Sequence, residues 1–217
     1  MIAACEQSGS LLVVNHNRRF ESNHRALRDL IAAGELGQLT SAMVQWSSGR
    51  LGNVGTHMFD ALRMLTGREV LGVTGILDMA GKPDCRGDQF SDPGGWGMFR
   101  LEDGIMATVT APDYGMVAPQ ITLFGTEGRA VVTTDIEVEY ADGRNQSLPR
   151  TQGSNMDVAV KEIVDWLDGG SAFSTSPAGA VRTLEVIAAF HVSEARNGSW
   201  VALPLSENDK TIVVNSG

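Results

Sequence analysis

The stretch GMFRLEDGIMATVT, Gly97 to Thr110, decides the fold. Two short apolar-rich halves flank the pair Asp103 and Gly104. An Asp-Gly pair supplies the positive φ angles of a tight hairpin turn, so Gly97 to Leu101 and Ile105 to Thr110 read as antiparallel strands. In the second, Ile105, Ala107 and Val109 alternate with Met106, Thr108 and Thr110. That alternation gives one buried face and one partly polar face.

The pattern repeats outward. Gln38 to Ser47, Val70 to Asp78, Gln120 to Phe124, Ala130 to Thr134 and Glu137 to Tyr140 read as further strands, joined in part by the turns GTEG (Gly125 to Gly128) and ADGR (Ala141 to Arg144). Helices flank them. Glu21 to Ala33 carries Leu27, Leu30 and Ile31 on one face and stops at Gly34. Thr56 to Leu65 stops at Gly67, and Asp157 to Leu167 places Val160, Ile163, Val164 and Leu167 in one stripe. Ser176 caps a last helix with Pro177 at its first position, and Val181, Leu184, Ile187, Ala188, His191 and Val192 are expected inward. Trp200 to Leu205 reads as a closing strand. The fold class is α+β, a large open, mostly antiparallel sheet with helices on one face.

The start of the chain differs. MIAACEQSG reads as the last turns of a helix ended by Gly9, and Leu11 to Asn15 as a buried strand. Together they form half of an α/β unit, which implies more chain before Met1.

Composition narrows the class. The 217 residues carry 17 basic and 26 acidic side chains, a net charge of −9, which disfavours a phosphate-backbone partner. The two cysteines, Cys5 and Cys85, have no CxxC spacing, so neither zinc nor a disulfide framework is suggested, and a reduced cytoplasmic setting fits best. No apolar run reaches the roughly 20 residues of a membrane span, and the N-terminus is no signal peptide.

Chemistry-bearing residues are few. His57 stands in GNVGTHMFD, Gly52 to Asp60, at a loop-to-helix junction. An imidazole titrates near neutrality and suits general acid–base work; equally, His57 could pack or cap the helix. Asp60 lies one turn on. No spacing gathers three metal ligands from His16, His24, His57, His191 and Asp60. His191 sits on an apolar stripe and reads as core, and His24, on a polar helix, as solvated. Asn15 and His16 follow the buried strand directly, at the carboxyl end where open α/β sheets bind ligands. Arg18 and Arg19 could each grip a carboxylate or phosphate, or form an ion pair across a domain junction. Trp46, Trp96 and Tyr114 could stack on a sugar or cap a core. GGWG (Gly94 to Gly97) and GRLG (Gly49 to Gly52) are not phosphate loops, and there is no GxSxG.

The order LLVVNHNRRF, LIAAGELGQLTSAMVQW, GNVGTHMFDALRMLTG, GTEGRAVV and a late helix running into WVALPL resembles the glucose–fructose oxidoreductase, inositol dehydrogenase and rhizopine-catabolism family (Gfo/Idh/MocA). The motifs are individually weak, but their order and spacing extend over essentially the whole chain. The resemblance implies an NAD- or NADP-dependent oxidoreductase acting on a sugar, cyclitol or related polyol. It implies residues 1–15 as the last helix and strand of a truncated Rossmann domain and 16–217 as a substrate-binding and oligomerisation domain. His57 falls at the catalytic histidine position, and Arg19-Phe20 at an Arg-aromatic pair. Asn53, Asn15, His16, Arg19 and Asp60 are the expected substrate-side residues. The family's glycine-rich loop and Glu-Lys-Pro motif would lie before Met1, so this chain by itself is expected to bind no cofactor and to be inactive. Many members carry an aspartate four residues before the histidine; here it is Asn53, which can orient an imidazole or bond a hydroxyl but cannot accept a proton. A non-catalytic binding module of the same fold is the alternative. An open sheet face predicts a homo-oligomer.

Overall fold

The computed structural model describes residues 1–79, 86–151 and 153–215. Cys85 lies outside them. In chain order the elements are α1 (Ile2–Ser8), α2 (Ser22–Ala32), β1 (Leu39–Gln45), α3 (Thr56–Thr66), β2 (Val70–Asp78), β3 (Gly94–Leu101), β4 (Met106–Ala111), β5 (Gln120–Gly125), β6 (Gly128–Val132), β7 (Ile136–Tyr140), β8 (Asn145–Leu148), α4 (Asn155–Leu167), α5 (Pro177–Ala195) and β9 (Val201–Ala202).

The strands form one nine-stranded sheet in the order β8-β7-β6-β5-β1-β4-β3-β2-β9. The β3–β4 hairpin forms at Glu102–Gly104, with Asp103 at φ 58° and Gly104 at φ 78°. Every pairing is antiparallel except β1 with β4, where Met43 lies beside Thr108 and Val44 beside Val109. The parallel pair is possible because α3 and the β2–β3 hairpin carry the chain from β1 round to β4.

One face is buried. Ala42, Val44, Phe99, Ala107, Val109, Ile121 and Leu123 point to the helical side, where α3 and α5 pack. Phe59, Phe99 and Phe190 form a cluster with centroids 5.0 to 6.0 Å apart. Gly75 and Gly97 make room for it, since a Cβ on either would stand 2.3 or 2.8 Å from the Phe190 ring. The other face stays open and presents Met43, Ile76, Trp96, Met98 and Met106, all more than a third exposed.

Four expectations are corrected. Leu11 to Asn15 is not a strand: no described strand lies alongside, and an extended segment without a partner forms no ladder. On α4, Val160, Val164 and Leu167 face solvent at 53%, 49% and 64% exposure; the helix docks instead through Ala159, Ile163 and Trp166 onto Phe20 and Phe173. Periodicity shows that a stripe exists, not which side meets a neighbour. On α5, Val181 and Leu184 are exposed while Thr183 and Ser193 are buried. Those two hydroxyls turn inward because each has a bond to make: Thr183 Oγ1 accepts from Arg63 at 2.7 Å, and Ser193 Oγ accepts the Gly75 N–H at 2.9 Å. The closing strand shrinks to Val201–Ala202, as Pro204 has no N–H to give a ladder.

Candidate functional site

His57 is placed by a hanging loop. After β1 the Trp46 indole N–H donates to the Gly49 carbonyl at 2.6 Å, and Ser48, Gly49 and Arg50 all take positive φ. Gly49 is required: a Cβ there would stand 1.7 Å from an Asp113 carboxylate oxygen. The chain then makes one wide turn of π type, Leu51–Gly55, before α3. Asp92 and Pro93 hold that turn. Arg50 and Leu51 donate their N–H groups to the Asp92 and Pro93 carbonyls at 3.0 Å each. Gly52 and Asn53 donate theirs to the two Asp92 carboxylate oxygens at 2.6 and 3.0 Å. Burial pushes the Asp92 carboxyl above the usual carboxylate range, against the pull of those bonds and of Arg86. His57 is thereby fixed at the second residue of α3.

The His57 imidazole is half-buried, and its Nδ1 has no hydrogen-bond partner among the described residues. His16 stands edge-on to it, with centroids 6.2 Å apart at 80°. Both His16 ring nitrogens are likewise without a partner. Burial, then His16 and Arg18, hold the His57 pKa below its ordinary value, while Asp60 pulls the other way. His16 is lowered by burial, with Asp60 opposing and Arg19 and Arg63 adding to it. Both rings are therefore neutral at neutral pH, the state in which an imidazole can accept a proton.

Asp60 and Arg19 are not open substrate contacts. Asp60 is fully buried, and Arg19 Nε and Nη2 donate to its two oxygens at 2.7 and 2.8 Å. Arg63 stands 3.8 Å away and donates to Glu69, to the Gly179 carbonyl and to Thr183. This network ties α3 to α5 and to the segment before α2, and its groups are occupied by one another.

A cleft of about 360 Å³ opens beside His57, lined also by Arg18, Glu21, His24, Arg150 and Asn155. Of the expected site residues only His57 lines it. Asn53 is exposed and fixed through its backbone; Asn15 gives its side-chain N–H to Met156 Sδ at 3.0 Å. His24 is a correction: it is 2% exposed, and burial, then Arg18 and Arg150, lower its pKa to about 4. Its helix is polar because Asn23 and His24 point inward, where the Asn23 amide donates to the Thr134 carbonyl at 3.0 Å. His191 is half-buried, and burial lowers its pKa. Trp46 is core, fully buried, whereas Trp96 lies on the open sheet face and Tyr114 is exposed. Among the described residues no three His, Cys, Asp or Glu side chains gather as metal ligands, and no helix is long and apolar enough to cross a membrane.

Sequence reasoning missed Asp92, His24, Glu21 and Arg150. Asp92 is far in sequence from the loop it holds and has no motif around it. A buried-histidine signal at residue 24 was hidden by the polar residues beside it.

The fold is an open mixed sheet with helices on one face, and a histidine stands at the head of α3. Residues 43–131 match the GFO/IDH/MocA C-terminal domain, the same family the sequence resembles. Three solved structures share the fold. An aldose-aldose oxidoreductase from Caulobacter crescentus, complexed with glycerol, superposes with a TM-score of 0.78 at 17% identity, over 93% of this chain and 67% of that one. The WlbA dehydrogenase from Bordetella pertussis, in complex with NADH and UDP-GlcNAcA, gives 0.75 at 19%, over 94% and 67%. An oxidoreductase from Agrobacterium radiobacter with NAD+, L-tartaric acid and magnesium gives 0.75 at 18%, over 93% and 67%. The chain thus spans about two thirds of the length of each. No curated protein matches it in sequence.

Proposed function

We infer that this chain is the substrate-binding part of an NAD(P)-dependent oxidoreductase acting on a hydroxyl or carbonyl of a sugar, cyclitol or related polyol. The observation that carries it is His57: an imidazole that burial holds toward its neutral form, fixed by a braced turn and lining an open cleft. In oxidation His57 takes the proton of the reacting hydroxyl while the carbon's hydride leaves, forming the carbonyl; reduction reverses both. A nicotinamide held by a nucleotide-binding domain would supply the hydride acceptor. The chain's own glycine runs do not cradle a dinucleotide: Gly94, Gly95 and Gly97 lie within β3, and Gly49 is packed against Asp113. Residues 16–217 are read as the substrate domain, and residues 1–15 as the end of a nucleotide-binding domain. The sugar and nicotinamide ligands of the similar structures support this reading.

The test is NAD(P)-linked turnover of a panel of polyols by a protein that joins this chain to a nucleotide-binding domain. His57→Gln should cost roughly 10²- to 10⁴-fold in kcat with an unchanged denaturation midpoint; an unchanged rate would remove the base. The 217-residue chain by itself should show no such turnover. The open face carrying Met43, Met98 and Met106 is read as the oligomer contact. Light scattering at micromolar concentration should give a dimer or larger, reduced to a monomer by Met98→Asp.

A further inference from the structure

Two neighbouring arginines have opposite fates. Arg19 is consumed by Asp60. Arg18 lines the cleft, half-buried, and its guanidinium makes no ion pair or hydrogen bond with any described residue. The carboxylate nearest in the cleft is already occupied. Arg150 holds both oxygens of Glu21 at 2.9 Å, and Asn155 Nδ2 donates to Oε1 at 2.7 Å. Glu21 and Arg150 cancel, so the cleft keeps one uncompensated positive charge in a chain whose net charge is −9.

The wall beside Arg18 is also incomplete. His24 is buried, its Nδ1 lies 3.1 Å from Asn23 Oδ1, and its Nε2 has no partner among the described residues. Asn23 Oδ1 already accepts the His24 backbone N–H at 2.9 Å; as an acceptor it places the imidazole proton on Nδ1 and leaves Nε2 to accept. A withdrawn cation with unused N–H donors is costly unless an anion meets it, and a guanidinium fork matches the oxygens of a carboxylate or phosphate.

We propose that the cleft takes an acidic polyol, a sugar acid or sugar phosphate whose anionic group docks on Arg18. The reacting carbon is turned toward His57. This rests on the reading of His57 as the proton acceptor and narrows its substrate class. Arg18 also depresses the pKa of both His24 and His57, so neutralising it raises both.

The experiment is calorimetric titration of the 217-residue chain with D-glucuronate, D-glucose 6-phosphate and D-glucose, repeated with Arg18→Gln. At least one acid should bind about tenfold or more tighter than glucose, the scale of a charged hydrogen bond. Arg18→Gln should abolish that margin and leave glucose unchanged. The order of the two acids tells carboxylate from phosphate. NMR of the imidazoles should show His24 and His57 titrating higher in the bound acid and unmoved by glucose. Equal binding of acid and glucose, a margin that survives Arg18→Gln, or no binding of either acid each overturns the proposal. Acid preference together with a rate unmoved by His57→Gln would instead remove the base and leave the anion site standing.

Discussion

The two ends of the site's polar chemistry are built oppositely. Along α3 and α5, Arg19, Asp60, Arg63, Glu69 and Thr183 are matched donor to acceptor. At the cleft, His24 and His57 keep ring nitrogens with no partner among the described residues, as does His16 behind them, and Arg18 keeps its charge. Both groups are withdrawn from water, so both carry the desolvation cost of polar burial. The first offsets that cost with its own bonds, which is what a scaffold does. The second leaves it uncompensated, a cost the proposed ligand would offset. Saturation, not residue type, separates scaffold from site.

That contrast can be broken at the scaffold end first. Asp60→Ala strands Arg19 without its carboxylate and should cost about 3–5 kcal/mol in chemical denaturation. A loss below about 1 kcal/mol would mean that the network is not what joins α3 to the segment before α2.

The rim sets the next effect, through pH. The folded His24 pKa of about 4 lies below the ordinary 6.5. Below 6.5 the unfolded chain takes the proton and the folded chain does not. Stability is therefore whole above about 6.5 and is lost as pH falls toward about 4, by up to about 3 kcal/mol from this residue. His16, His57 and His191 are shifted the same way and act in the same direction. His24→Gln should flatten the curve of melting temperature against pH between those limits; an equally steep curve would place the acid sensitivity elsewhere.

Asp92 sharpens the comparison between its ends, because it is scaffold serving site. Asp92→Ala leaves the Gly52 and Asn53 N–H groups without their acceptor and should cost about 1–3 kcal/mol. Activity should fall with it as His57 loses its fixed position, and Asp92→Asn, which keeps one acceptor oxygen, should recover most of both. A stability loss with an undiminished rate would show that the turn need not be braced for chemistry. The smallest effect belongs to neither end. Lys161 pairs with Asp165 on the exposed side of α4, and Lys161→Ala should leave the denaturation midpoint unmoved.

Much of this was legible in the amino-acid order. Asp103 and Gly104 fixed a hairpin, and the alternation Ala107, Val109 against Met106, Thr108 fixed its inner face. Both are local physics, a positive φ and a period of two. The head of α3, with His57 on it, was readable from the loop-to-helix junction in GNVGTHMFD and the stop at Gly67. Partnership was not readable. Nothing near Arg18 and Arg19 says that one meets Asp60 and the other faces a cleft, nor that Thr183 and Ser193 turn inward while Val181 and Leu184 turn out. Those outcomes depend on which groups distant segments bring within about 3 Å, the range over which a hydrogen bond is made or lost. The sequence by itself determined most of the elements, the Asp-Gly hairpins and the candidate base, but not β8 or the lack of a strand at Leu11 to Asn15. Only the tertiary structure decided which polar groups are spent on the scaffold and which remain for a ligand.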